Sequence, residues 1–254
     1  MKQFKQRFQL RNALFILPNA FTVSSIFCGM YAILHSLTGN SAESLYEAGI
    51  AVFFAGFFDT CDGRVARITK TQSEFGVQLD SLADVISFGV APALLVYKWA
   101  LWPLGPMGFL GAFFYAACGA IRLARFNVIS AREKGEAGEF FMGLPIPLAA
   151  AVLVASLVAH LKLFAGSPVK HPEWILYLIL LMGILMISTV EYWTFKKSKF
   201  NRQTALTLLI LLTGTWWFRL HYPISLGVVG LLGIYIVAGI SRYSLNRLYW
   251  VRKE

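Results

Sequence analysis

The chain has 254 residues, of which 57% are hydrophobic and only 14% charged. That balance lies outside the usage of water-soluble domains and excludes a conventional globular protein. The net charge of +10 raises the question of nucleic acid, but the basic residues are spread between apolar runs, which is a topology pattern, so no nucleic-acid partner is expected.

The first element is a basic segment, residues 1–12, in which Lys2, Lys5, Arg7 and Arg11 alternate with Phe4 and Phe8. It reads as an amphipathic helix lying along a lipid interface; a frayed basic tail that only sets topology is the alternative. No cleavable leader is expected here, because the first apolar run is followed by others rather than by a hydrophilic mature domain. Eight apolar runs come next, near residues 15–37, 47–67, 77–100, 106–126, 143–163, 174–194, 204–219 and 223–241. Each of the first six is about 20 residues, enough to cross a bilayer core of about 30 Å; the last two are shorter.

The expected fold is therefore an all-α integral membrane bundle of about eight transmembrane helices. It divides into the interfacial segment, a core over residues 13–200, and two further helices with a basic tail over 201–254. With the N-terminus in the cytoplasm, all of the 23 lysines and arginines except Lys98, Lys162, Lys170 and Arg219 fall on the inner side. This puts both termini in the cytoplasm and the protein in a cell inner or plasma membrane.

Trp99, Trp102, Trp174, Trp216 and Trp217 fall at outer ends of the runs, as an interfacial aromatic belt. Gly108 and Gly111, and Gly227, Gly230 and Gly233, recur every third residue and permit close helix approach, within the bundle or between protomers. Cys28, Cys61 and Cys118 lie in apolar runs and read as small buried hydrophobes. The longest polar stretch is Ser130–Glu139, so no separate soluble domain is expected.

Against this background stand four aspartates. Asp59 and Asp62, three apart near the end of the second run, share a helix face, and so do Asp80 and Asp84, four apart at the start of the third. The turn between, about residues 68–75, is short, so the two helices are antiparallel neighbours and the carboxylate pairs meet at one depth. Carboxylates in a lipid-spanning segment are costly and mark chemistry. Four convergent oxygen ligands suit Mg²⁺ or Mn²⁺, with two ions offsetting the charge, an arrangement used in phosphoryl transfer. Gly63 leaves room for a ligand, Arg67 one turn on can grip a phosphate, Ser73 offers a hydroxyl, and Gly76 permits close contact as the third helix begins. Ion pairing of the carboxylates with Arg64, Arg67 and Lys70 is the competing structural reading; it accounts for Asp62 and leaves the inward-facing Asp59, Asp80 and Asp84 unexplained.

The run Asp59-x2-Asp62-Gly63-x2-Ala66-Arg67-x8-Gly76-x3-Asp80-x3-Asp84 resembles, without departure, the motif of the CDP-alcohol phosphotransferase family. The resemblance implies an enzyme in which an incoming hydroxyl displaces CMP from a CDP-linked lipid or alcohol. It implies that Asp59, Asp62 and Asp80 bind the metals, and that Asp84 completes the second site and acts as general base. It also implies that Gly63, Arg67 and Ser73 contact the CDP moiety, and that the protein is a homodimer.

Four further stretches are similar to segments of the membrane-embedded bacterial and archaeal phosphatidylserine synthases: Leu17–Thr22, Arg122–Asn127, Phe141–Pro147 and Met186–Lys196. The implied donor is CDP-diacylglycerol and the acceptor L-serine, within the lipid bilayer. Arg122, Arg125 and Asn127 are candidates to hold the serine carboxylate, with stop-transfer charge as the alternative for either arginine. Asn19 and Thr22 are candidates to face the nucleotide, with helix capping as the alternative for Asn19.

His35, His160, His171 and His221 fall at outer ends, away from the aspartates, and Glu191 carries no functional expectation. Two rivals remain: a sibling enzyme taking glycerol 3-phosphate or an inositol compound, and a cation-coupled transporter. The aspartates lie toward one face rather than at mid-membrane, which counts against the transporter. Direct attack by the acceptor hydroxyl is expected, since no nucleophile beyond Cys61 and Ser81 stands near the aspartates.

Overall fold

A computed structural model describes residues 2–39, 41–69, 71, 73–132, 140–193 and 224–251. The chain is built from helices α1 (Lys2–Thr38), α2 (Ala42–Thr69), α3 (Glu74–Leu104), α4 (Pro106–Arg132), α5 (Ile146–Leu163), α6 (Pro172–Ile187) and α7 (Ile224–Val251). Two three-residue strands, β1 (Phe140–Met142) and β2 (Glu191–Trp193), form an antiparallel ribbon. Helices dominate because backbone groups in lipid must be satisfied within their own segment. Among the described residues, four helical stretches are long and apolar enough to cross a membrane: Leu17–Thr38, Glu74–Leu104, Pro106–Ser130 and Ile146–Leu163. α6 and Ser225–Gly239 of α7 are shorter apolar helices. α2, which carries two of the carboxylates, has 28 residues and the length to span.

α1 lies along α2, α4 along α6, and α5 along α7, while α3 touches five of the other helices and forms the centre. Phe88, Leu95 and Leu101 of α3 bury themselves against Tyr115 of α4, Leu153 and Leu157 of α5, and Met182 and Met186 of α6. Ser73 starts α3 by accepting the Gly76 amide at 3.0 Å, one of the orphan donors of a helix start. Two turns of α3, Val85–Val90 and Tyr97–Leu101, widen to π geometry. The buried Tyr115 hydroxyl donates to the Phe88 carbonyl at 3.0 Å within the first of them, a widening of the kind that frequents functional positions. A 3₁₀ turn at Trp102–Leu104 and Gly105, at φ +56°, reverse the chain into α4.

The structure departs from the sequence expectations in several places. No break separates an interfacial helix over 1–12 from the first span, for α1 is continuous from Lys2 through Pro18 to Thr38; the side chains of residues 1–16 lie outside those described. α6 stops at Ile187 rather than near 194, and the chain continues as β2. The cause is polar: Ser188 leaves helical geometry, and backbone and side-chain donors from elsewhere take up the last carbonyls. Trp99 packs against the core and donates Nε1 to His160 at 3.4 Å, while Trp102 and Trp174 are exposed as a belt requires. Gly111 is a packing position inside the bundle, facing Leu176 of α6, whereas Gly230 and Gly233 face open space. The expected span 204–219 and most of the Ser130–Glu139 loop lie outside the described residues.

Candidate active site

Asp59 and Asp62 lie ten and seven residues before the end of α2, and Asp80 and Asp84 six and ten residues after the start of α3. At a rise of about 1.5 Å per residue, the innermost of them are recessed about 15 Å from that end of the bundle. Past Thr69, the Thr71 amide donates to the Ala66 carbonyl at 3.0 Å, and the Thr69 and Thr71 hydroxyls are in contact at 2.7 Å. This hairpin brings the two pairs together as expected. Ligand oxygens of Asp59, Asp62 and Asp80 all lie within 4.8 Å of one another. The Asp84 carboxyl meets that of Asp59, and its Oδ1 is buried with no hydrogen-bond partner.

Four carboxyl groups crowded in this way, one with an orphaned buried oxygen, repel each other unless a cation intervenes. The donor set is all oxygen, which fits a hard divalent ion rather than a soft one. Asp62 is held from α1: the Thr22 hydroxyl, itself buried, lies 2.8 Å from Asp62 Oδ2 and also within reach of the Pro18 carbonyl at 3.3 Å. Gly63 faces open space beside this cluster, with nothing within 4 Å of where a Cβ would stand. Arg67 is exposed, and its Nε donates to the Gly63 carbonyl at 2.8 Å.

The other expected site residues divide. Asn19 lies inside α1, so it caps no helix start; its Oδ1 lies near Gly76, 3.6 Å from where a Cβ on that glycine would stand. Ser73 is occupied as the α3 cap. Thr22 faces Asp62 instead of open space. Arg122 of α4 is buried, stacks over Phe126 at 5.9 Å and keeps its Nε unpartnered; it forms no ion pair with Asp84 within 4.0 Å. Arg125 is committed to protein carbonyls, with Nη1 donating to Ile187 at 2.7 Å and Nη2 to Ser188 at 3.1 Å. Asn127 Nδ2 donates to Ser81 Oγ at 2.9 Å and Gln78 Oε1 at 3.3 Å. Expected together at the acceptor, these three side chains of α4 thus go to three different places.

Ser81 is tied to Asn127 and to the Val77 carbonyl at 3.1 Å, which weakens its case as a nucleophile. Sequence reading missed Gln78 altogether. Its polar spacing with Ser81, three residues apart beside Asp80 on an apolar helix, was the available signal.

A bundle of apolar helices with a recessed carboxylate cluster fits a membrane-embedded enzyme of phosphoryl chemistry. Residues 15–187 match the CDP-alcohol phosphatidyltransferase family. Among similar proteins is a CDP-diacylglycerol–serine O-phosphatidyltransferase of Helicobacter pylori, 38% identical over 232 residues, which cover 91% of this chain and 92% of the relative. Proteins of that same description from Methanocaldococcus jannaschii and Bacillus subtilis are 33% and 35% identical. Their matches cover 83% and 71% of this chain and 90% and 92% of those proteins. The chain belongs to the CDP-alcohol phosphatidyltransferase family, and is an integral membrane transferase.

Proposed function

We propose that the protein is a CDP-diacylglycerol–serine O-phosphatidyltransferase, with Asp59, Asp62, Asp80 and Asp84 holding two Mg²⁺ or Mn²⁺ ions. The observation that carries the reading is the meeting of the four carboxylates at one end of the bundle, with the Asp84 Oδ1 buried and unpartnered. The names of the relatives support serine as the acceptor. Bound divalent ions supply charge neutralisation for the diphosphate and for the departing nucleotide.

The chain's own residues do the rest. The open face at Gly63 admits the CDP moiety, and the terminal nitrogens of the exposed Arg67 grip a phosphate oxygen. Asn19, beside Gly76, borders the same entrance. Arg122 takes the serine carboxylate and directs the hydroxyl toward Asp84. Asp84 accepts the hydroxyl proton as the serine oxygen bonds to the lipid-linked phosphorus. The bond from that phosphorus to the bridging oxygen breaks, and CMP leaves carrying that oxygen. The proton passes from Asp84 to solvent. The active site faces the cytoplasm in this scheme, where serine is supplied, and two copies of the chain associate in the bilayer.

A phosphorylated acceptor fits less well. Among the described side chains, Arg125 is spent on backbone carbonyls, which leaves Arg122 as the one buried cation where a phosphate calls for more.

The test is CMP release by purified protein given CDP-diacylglycerol, Mn²⁺ or Mg²⁺, and each alcohol in turn. The reading requires release with serine that is lost in Asp84→Asn. Release with glycerol 3-phosphate or an inositol compound alone overturns the serine assignment, and metal flux into liposomes without CMP release overturns the enzyme.

A further inference from the structure

We propose that Arg125 is a positioning residue for the acceptor, acting through a joint that fixes the buried Arg122 one turn before it on α4. The inference rests on the reading of Arg122 as the seat of the serine carboxylate. Arg125 fans its guanidinium across consecutive carbonyls at the end of α6: Met186 at 3.4 Å, Ile187 at 2.7 Å and Ser188 at 3.1 Å. It also reaches the Met142 carbonyl, at 3.4 Å, on β1. A cation on the last carbonyls of a helix satisfies both their lone pairs and the helix dipole.

The strand side of the joint is equally constrained. Gly143 sits at φ +76°, a conformation that disfavours side chains, and its amide donates to the Val190 carbonyl at 2.9 Å. A Cβ there would collide with the Met186 carbonyl and stand 3.0 Å from the Arg125 guanidinium. The Leu144 amide closes the joint on the Leu185 carbonyl at 3.0 Å. Three separate chain segments, around 125, 142–144 and 185–190, therefore meet at one guanidinium.

Arg122 lies one turn before Arg125 on the same helix, buried, with Nε unpartnered. Two residues after Arg125, Asn127 pins α4 to Gln78 and Ser81 of α3, the helix that carries Asp80 and Asp84. α4 is thus tied to α6 by Arg125 and to α3 by Asn127, and Arg122 lies one turn before the first of these ties. Loosening the first tie lets α4 shift relative to α6, which displaces Arg122 from the acceptor without touching the donor face at Gly63 on α2.

The experiment uses the full chain, purified in detergent, comparing wild type with Arg125→Gln, Arg125→Lys, Gly143→Ala and Arg122→Gln. KM for serine, KM for CDP-diacylglycerol, kcat and Tm are measured for each. Arg125→Gln and Gly143→Ala are expected to raise the serine KM about tenfold while the CDP-diacylglycerol KM stays within about twofold. Arg125→Lys recovers only part of the loss, because one ammonium cannot fork across several carbonyls. An unchanged serine KM in Arg125→Gln overturns the proposal, as does a parallel fall of every parameter with Tm, since that marks a residue that merely holds the fold. If Arg122→Gln raises the serine KM and Arg125→Gln does not, the positioning role alone fails; if neither does, the reading of Arg122 fails with it.

Discussion

The Thr22 hydroxyl, 2.8 Å from one oxygen of Asp62, fixes how that carboxylate is presented. Groups that orient a metal ligand from behind typically govern affinity by about 10- to 100-fold. Thr22→Val keeps the shape of a buried side chain and removes the donor. It is expected to weaken Mn²⁺ binding about tenfold, read as free-ion signal in electron paramagnetic resonance titrations of the purified protein; an unaltered isotherm would show that Asp62 needs no such anchor. Gly63 makes the complementary case. Nothing stands within 4 Å of its missing Cβ, so Gly63→Ala is free of clashes and even favours the helix by about 0.5–1 kcal/mol. Tm should hold or rise while the KM for CDP-diacylglycerol rises about tenfold. A normal KM would mean that the donor approaches from elsewhere. The aspartates were legible in the sequence because lipid makes a carboxylate conspicuous, and their spacing on two helices predicted the cluster. The partners of Thr22, Arg125 and Asn127 were not legible. Each depends on the register between helices distant in sequence, and a polar side chain near a helix end reads equally as ligand or brace.

Among the elements, α3 decides the most. A π turn begins at Val85, the residue after Asp84, and the Tyr115 hydroxyl satisfies the Phe88 carbonyl inside that turn. Ser87, in the same turn, donates to the Ser25 carbonyl of α1 at 3.0 Å. The widened turn is thereby anchored from both flanking helices, and with it the direction in which Asp84 points. Tyr115→Phe leaves a buried carbonyl short of its donor, at a cost of about 1–3 kcal/mol. A lower Tm is expected in detergent, with kcat falling more than either KM because Asp84 is the group displaced. Equal activity at lower Tm would confine Tyr115 to stability. Apolar periodicity located the six helices up to residue 187, but it began α1 near 15 rather than Lys2 and carried α6 to 194 rather than Ile187. It could not give the π turns or the ribbon of β1 and β2, since three-residue strands carry too little pattern and the break after Ile187 comes from donors on other segments.

Across the whole molecule, the helices from α1 to α6 run alternately, so the chain enters and leaves that group at the end that holds the aspartates. The start of α1, the α2–α3 turn, the end of α4 and the β ribbon all gather there. Among the described residues, Arg64 and Arg67 of α2 and Arg122 and Arg125 of α4 gather at the same end. On the proposed function, the positive-inside tendency sets that end toward the cytoplasm, so that the soluble acceptor reaches the recessed site while the lipid donor enters from the bilayer. The side on which the C-terminus lies depends on the apolar run 204–219. If that run crosses the membrane, α7 returns the chain to the aspartate side; if it does not, α7 carries the tail to the opposite side. Arg242, Arg247, Arg252 and Lys253 beyond the apolar part of α7 favour the return, because each basic residue is costly to translocate. A green fluorescent protein fused after Glu254 should therefore fluoresce in bacterial cells, and alkaline phosphatase at the same point should be inactive. The opposite pair of results would remove one crossing and place the tail outside, leaving the aspartate site where it is.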